Sequence, residues 1–237
     1  MMTNGARYAI YFVPEHGSML ARRGASWLGR NAVTGEAVEQ HRPGGIDPAT
    51  FAEKTESARR YGFHATLKAP MRLTPGVSER PFRAAVAEYA ARVRPFDLGP
   101  LSPKWIGAFL ALTPDSADPE HMRALKDWAF GVVRGLEPFR APMPGEEFER
   151  RARGLDDRQR QLLERWGYPY VCDEFRFHMT LSAPVPEAER SAWRAAADRW
   201  FAPALAQDVV IDAISIAVER DPPGPFVELA RYPLGDG

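Results

Sequence analysis

The octapeptide FHATLKAP at residues 63–70 nearly recurs as FHMTLSAP at residues 177–184. Phe, His, Thr, Leu, Ala and Pro return in register, and only Ala65/Met179 and Lys68/Ser182 differ. A phrase repeated half a chain apart requires the fold to build one local structure twice. Core packing would repeat the Phe and Leu. It has no reason to repeat the His and Thr between them.

Alternate side chains of a strand share a face, so His64 and Thr66 project together while Phe63, Ala65 and Leu67 face the other way. His178 and Thr180 do the same, against Phe177, Met179 and Leu181. Each copy is thus an apolar anchor carrying one imidazole and one hydroxyl, about 6.6 Å apart along the strand at about 3.3 Å per residue.

The flanks repeat as well. RYAIYFVP (7–14) reads as a first strand. GASWLGR reads as a short helix, RPGGIDP as a loop, and ATFAEKTESARRYG as a helix closed by Gly62. After the first phrase, SERPFRAAVAEYAARV forms a helix with Ser78 as N-cap and Phe82, Val86, Tyr89 and Val93 on one side. PFDLGPLSP and KWIGAFLALTP then pair as a hairpin across a Pro-containing turn. In the second half, Met122, Leu125, Trp128, Ala129, Val132 and Val133 mark the apolar side of a long helix. Residues 138–156 are Pro-rich and charged, an exposed loop or lid. LDDRQRQLLERWG is a helix ended by Gly167. The second phrase, another helix and the strand pair QDVVIDAISIAVERD and PFVELARYPL follow.

Phrase, helix, strand, strand therefore occurs twice. This order predicts an α+β fold of two pseudo-symmetric lobes, each with antiparallel strands and packed helices, facing a central cleft. The domain expected is single and bilobal over residues 1–237. Lobe one covers about 1–115 and lobe two about 116–237, with strands exchanged between them.

Two imidazoles and two hydroxyls at one cleft suit acid–base attack on a phosphodiester. Thr66 and Thr180 donate to phosphoryl oxygens. Of His64 and His178, one takes a proton from water while the other, protonated, donates to the leaving oxygen. An unperturbed pKa of about 6.5 lets histidine populate both forms near neutrality. This chemistry calls for no metal and no cofactor. A lone strand histidine is more often a packing residue, so the argument rests on the pair.

The two H-x-T-L phrases resemble the 2H phosphoesterase superfamily, which includes RNA 2′,3′-cyclic phosphodiesterases. That resemblance spans nearly the whole chain. The fuller wording, RYAIYFVP, YGFHATLKAPM and WGYPYVCDEFRFHMTLSAP, is similar to a subgroup described as phosphonate-metabolism operon proteins. It implies a metal-independent cyclic phosphodiesterase with His64, Thr66, His178 and Thr180 at its centre. The substrate implied is a small cyclic phosphate ester, such as a phosphoribosyl cyclic phosphate.

Strand alternation extends the same face to Lys68, back to Arg60, and from His178 back to Arg176 and onward to Ser182. Lys68 and Arg176 are candidates for binding an anionic group, against the plain reading of solvated charges. Arg7, Ala9 and Tyr11 share one face of the first strand. Tyr11 is a candidate wall of the cleft, and Tyr168 and Tyr170 are candidates for stacking on a sugar or base. For all three tyrosines, packing is the bland alternative. Asp173 and Glu174 are placed to orient a histidine or to lie in solvent. His16, His41 and His121 lie outside the phrase and read as surface residues. Cys172, the one cysteine, excludes an intrachain disulfide and a cysteine-rich zinc site.

Lys+Arg and Asp+Glu balance at 31 each, so no bulk positive field exists for gripping long duplex nucleic acid. RNA ends stay open as partners. With 45% apolar and 26% charged residues, no basic leader and no membrane-length apolar run, a soluble cytoplasmic monomer is expected, taking a small phosphorylated substrate. Three rivals are an RNA-end 2′,3′-cyclic phosphodiesterase, a metal-dependent hydrolase using Asp173 or Glu174, and a non-catalytic nucleotide- or RNA-binding module. The sequence has no H-x-H, H-E-x-x-H or Cys cluster to favour the second.

Overall fold

Both copies of the phrase end up at the centre of one antiparallel sheet. The computed structural model describes residues 5–235. Its strands are β1 (Arg7–Phe12), β2 (Ala65–Met71), β3 (Phe96–Asp97), β4 (Leu101–Ile106), β5 (Phe109–Pro114), β6 (Met179–Thr180), β7 (Val210–Ile211), β8 (Ala213–Glu219) and β9 (Val227–Pro233). Seven lie in the order β4-β5-β6-β2-β1-β8-β9, and β3 pairs with β7 separately. All pairings are antiparallel. The helices are α1 (Met19–Leu28), α2 (Pro48–Tyr61), α3 (Glu79–Ala91), α4 (Pro119–Gly135), α5 (Gly145–Arg151), α6 (Asp157–Trp166) and α7 (Arg190–Phe201). The chain is α+β, with an antiparallel sheet and seven helices among the described residues.

Local chemistry fixes where each phrase begins. Asp47 caps α2 by accepting from the Thr50 amide, Pro48 opens the helix, and Gly62 at φ 76° closes it. Asp156 caps α6 through the Gln159 amide, and Gly167 at φ 71° closes it. Gly62 hands the chain directly to the first phrase, whereas residues 168–176, with a 3-10 turn at Cys172–Glu174, lie between α6 and the second.

The main core lies on one face of the sheet. Phe63, Leu67, Phe177 and Leu181, the apolar residues of the two phrases, join Ile10, Phe12, Trp27, Phe51, Trp193 and Phe201 there. Burying each such side chain stabilises the fold by about 1.5–3 kcal/mol. The phrases are held by their apolar sides. The opposite face of β1 carries a smaller cluster of Ala9, Tyr11 and Val13 with Ala217 and Phe226.

Several sequence expectations are corrected. The hairpin turn lies inside the second run, at Gly107–Ala108, joining β4 to β5, because Gly107 supplies a positive φ of 58°. β3 pairs with β7 rather than with β4. Ser78 sits at the N-cap of α3, yet its side chain makes no capping bond. Residues 138–156 hold the helix α5. The second phrase leaves the ladder after Thr180, since the amides of Leu181 and Ser182 share the Leu110 carbonyl at 2.8 and 3.2 Å. No helix of the described residues is long and apolar enough to cross a membrane.

Candidate active site

Ala65 pairs with Met179 across the junction of β2 and β6. Antiparallel register then sets His64 opposite Thr180, and Thr66 opposite His178. Directly opposed side chains have Cβ atoms about 5 Å apart. The four repeated polar residues therefore form one patch, each histidine at a position across from the other copy's threonine. The segments bearing them are pinned from behind by the apolar anchors.

Each imidazole is oriented by a backbone carbonyl two residues upstream. His64 Nδ1 donates to the Gly62 carbonyl at 2.9 Å, and His178 Nδ1 donates to the Arg176 carbonyl at 2.7 Å. A carbonyl only accepts, so Nδ1 carries the proton and Nε2 of the neutral ring is a lone-pair acceptor. Thr66 Oγ1 donates to His64 Nε2 at 3.1 Å. The neighbours Asp173 and Glu174 do not orient the rings. Asp173 pairs with Arg158 at 2.8 Å, and Glu174 accepts from Gln159 at 3.2 Å.

Surroundings separate the two histidines. The ring of Tyr11 stacks on His64 at 3.7 Å and 28°, with Tyr61 at 6.3 Å. Burial pushes the His64 imidazole down to about 4, against a smaller upward pull from the Gly62 carbonyl, and the nearby His178 lowers it further. Burial also lowers His178, opposed by its bond to Arg176. Among the described residues, the one ring against His178 is that of Phe109, tilted at 5.7 Å. His178 opens into a cavity of about 390 Å³ lined by Thr66, Ile106, Phe109, Tyr168, Tyr170 and Arg176, with Gln159, Glu174 and Phe175 completing the wall.

Arg176, Tyr168 and Tyr170 thus reach the cavity, and Tyr11 closes over His64. Lys68 does not join them. The β1–β2 register slips between Tyr11/Thr66 and Ile10/Lys68, a β-bulge that strand alternation cannot anticipate. Lys68 therefore sits across from Ile10, on the core face, 3% exposed. Its Nζ donates to Glu137 Oε2 at 2.7 Å and the Val133 carbonyl at 3.1 Å. Arg60 is engaged elsewhere, with Glu219 and the Gly224 carbonyl. His16 pairs with Glu228, while His41 stacks on Trp200 at 3.7 Å instead of standing free in solvent. Sequence reasoning missed Phe109, Ile106 and Gln159, which come from elements distant in the chain. Among the described residues, no three His, Cys, Asp or Glu side chains converge as metal ligands.

Fold and site together define an α+β protein with two histidine–threonine pairs juxtaposed at the centre of an antiparallel sheet. The chain belongs to the family described as "Protein of unknown function (DUF1045)", whose model matches residues 66–227. Two curated relatives are each named "Ribose 1,5-bisphosphate phosphokinase PhnN". The one from Janthinobacterium sp. (strain Marseille) is 39% identical over 96% of this chain and 51% of its own length. The one from Laribacter hongkongensis (strain HLHK9) is 34% identical over 91% of this chain and 48% of its own. The chain thus spans about half the length of these relatives. TT0787 of Thermus thermophilus, a solved structure, aligns over 98% of this chain and 100% of its own, with TM-score 0.44 and 15% identity.

Proposed function

We propose that this chain is a metal-independent cyclic phosphodiesterase acting on a small cyclic phosphate ester. The observation that carries the reading is the Ala65–Met179 register, which gathers both histidines and both threonines into one patch. In this reading the halves meeting near residue 115 are duplicated lobes, with β4–β5 of the first lying beside β6 of the second.

His64, held neutral, takes a proton from water at Nε2 as the water attacks phosphorus. His178, protonated, gives its Nε2 proton to the ester oxygen as the phosphorus–oxygen bond breaks. Thr66 turns its one hydroxyl proton from His64 Nε2 to a non-bridging oxygen, freeing that lone pair for the water, and Thr180 donates to another. Atoms and charges balance without a metal or cofactor. The two histidines immediately precede different strands, β2 and β6, as acid and base on opposite sides of one phosphorus require.

The relatives' name describes a kinase, and the chain matches about half of each. Nucleotide phosphates are commonly cradled by G-x-x-x-x-G-K-[ST], and this chain contains no Gly-Lys pair at all. In this reading the kinase activity belongs to the relatives' other half. Ribose 1,5-bisphosphate, the compound in their name, is what water yields from 5-phosphoribosyl 1,2-cyclic phosphate when the bond to O2 breaks. That makes a phosphoribosyl cyclic phosphate the preferred substrate. A terminal RNA 2′,3′-cyclic phosphate is the second reading, favoured by Tyr170, which stands 44% exposed at the cavity and offers a ring for stacking.

The test is turnover in excess EDTA of 5-phosphoribosyl 1,2-cyclic phosphate and of 2′,3′-cyclic nucleotides, with His64→Ala and His178→Ala alongside. Hydrolysis of one class, lost in both variants, supports the mechanism and selects the substrate. Hydrolysis abolished by EDTA sinks it. Binding without turnover, insensitive to both replacements, converts the site to a binding module.

A further inference from the structure

Beyond the histidines, four guanidinium groups gather around two carboxylates. Arg7 and Arg60 share the buried Glu219, which also accepts from the Gly224 amide. Arg72 pairs with Glu147 at 2.9 Å, and Arg151 of α5 approaches the same carboxylate only to 3.7 Å. Arg151 donates no hydrogen bond to any described residue, although its side chain is only 27% exposed. A guanidinium offers five donors, so an idle one withdrawn from water calls for an acceptor.

Tyr11 supplies the second observation. It is 1% exposed, and its hydroxyl has no hydrogen-bond partner among the described residues. Arg7 and Tyr11 share one face of β1, four residues apart, or about 13 Å of strand. Tyr11 packs against Phe226 at 6.1 Å, and the Arg7 guanidinium lies over that same ring at 5.6 Å, while Arg151 stands within electrostatic reach of Tyr168 and Arg7. Tyr168 also lines the cavity beside His178 and Thr66. The cluster therefore adjoins the reacting end of the site.

We propose that Arg7, Arg151, Tyr11 and Tyr168 form a subsite for a second phosphate, a sugar monoester dianion carried by the substrate away from its cyclic ester. The proposal deepens the cyclic phosphodiesterase reading and rests on it for the identity of that substrate. Arg151 supplies unused donors. Arg7 supplies positive charge, because it shares its one carboxylate with Arg60. The two phenols supply neutral donors, which tolerate a dianion without adding to the crowd of cations.

Calorimetric titration of the full chain with ribose 5-phosphate and with ribose tests this without turnover. Ribose 5-phosphate is expected to bind and ribose not. Arg151→Gln and Tyr11→Phe should each weaken the phosphate sugar at least tenfold, while the exposed Arg194→Gln leaves it unchanged. Tyr11→Phe keeps the ring on His64 and removes only the hydroxyl, so loss of folding does not mimic the result. Equal binding of the two sugars, or unchanged affinity in both subsite variants, overturns the proposal. Should no cyclic phosphate be hydrolysed while the variants still lose ribose 5-phosphate, the subsite stands and the phosphodiesterase reading falls. Should hydrolysis proceed with that affinity unaltered, only the subsite falls.

Discussion

The phenol ring of Tyr11 lies flat on the imidazole of His64, with ring centroids 3.7 Å apart. This contact excludes water from one face of the catalytic candidate, and burial is the leading cause of its pKa near 4. Proton NMR of the imidazole should show His64 titrating close to 4 in the native protein. Tyr11→Ser should admit water and move the midpoint up, towards the ordinary 6.5. A native midpoint already at 6.5 would refute the account.

Depression of that pKa makes stability depend on pH with a definite sign. Unfolded His64 takes its proton near 6.5, while the folded form waits until about 4. Between those values the unfolded state binds more protons, so stability is fully present above 6.5 and declines as pH falls towards 4. His178 is shifted in the same direction. Thermal melts from pH 7 to 4 should show Tm falling faster in the native chain than in His64→Asn, which has nothing to titrate. Parallel curves would mean that His64 is not buried as described.

Turnover should report the division of labour. Replacing either histidine by alanine is expected to cost at least about a hundredfold in kcat, the low end for general acid–base catalysis. Thr66→Val or Thr180→Val removes one hydrogen bond to a charged group, about 1.5–3 kcal/mol, or about ten- to a hundredfold in kcat/KM. The pH profile should be bell-shaped, with its acid limb near 4 from His64 and its alkaline limb below 6.5 from His178. An optimum above pH 8 would contradict both assignments.

The pairing of histidine with threonine is legible in the sequence because period-two alternation holds over the first five residues of each phrase. The anchors Phe63, Phe177, Leu67 and Leu181 are buried as that reading requires. Alternation fails at Lys68, where one inserted residue reverses the facing, and no local composition announces a bulge. The second phrase reads as a strand from its residues, yet only Met179 and Thr180 pair in the ladder, because pairing depends on what Leu110 offers. Phe109 and Gln159 reach the cavity through tertiary packing, which periodicity along one strand does not encode. Arg7 is visible as sharing a face with Tyr11, but its carboxylate partner lies on β8.

Lys68 yields a prediction opposite to a substrate-binding role. Its ammonium is buried against Glu137 and the Val133 carbonyl, and burial lowers its pKa despite the carboxylate. Lys68→Ala should cost about 3 kcal/mol, the low end for breaking a buried pair, because Arg140 remains on Glu137. Denaturant unfolding measures this. KM of the folded variant should stay within about twofold of native, and a large rise would return Lys68 to the substrate.

Gly62 ties the fold to the chemistry most tightly. It closes α2 at φ 76°, and its carbonyl holds His64 Nδ1 at 2.9 Å. A Cβ there would stand 2.5 Å from the Cβ of Ala32, a distance real side chains do not adopt. Gly62→Ala combines that clash with the cost of a backbone conformation, φ 76° and ψ 176°, that only glycine adopts readily, about 1–3 kcal/mol. The carbonyl must shift to relieve the contact, and the imidazole turns with it. Loss of stability by more than about 2 kcal/mol, together with at least tenfold loss of turnover in the fraction that folds, is the expected result. Ala32→Gly in the same chain removes the 2.5 Å contact but leaves the Ala32 Cα at 2.9 Å and the backbone cost. The double variant should therefore recover turnover more fully than stability. Equal recovery of both would show that the carbonyl does not aim His64.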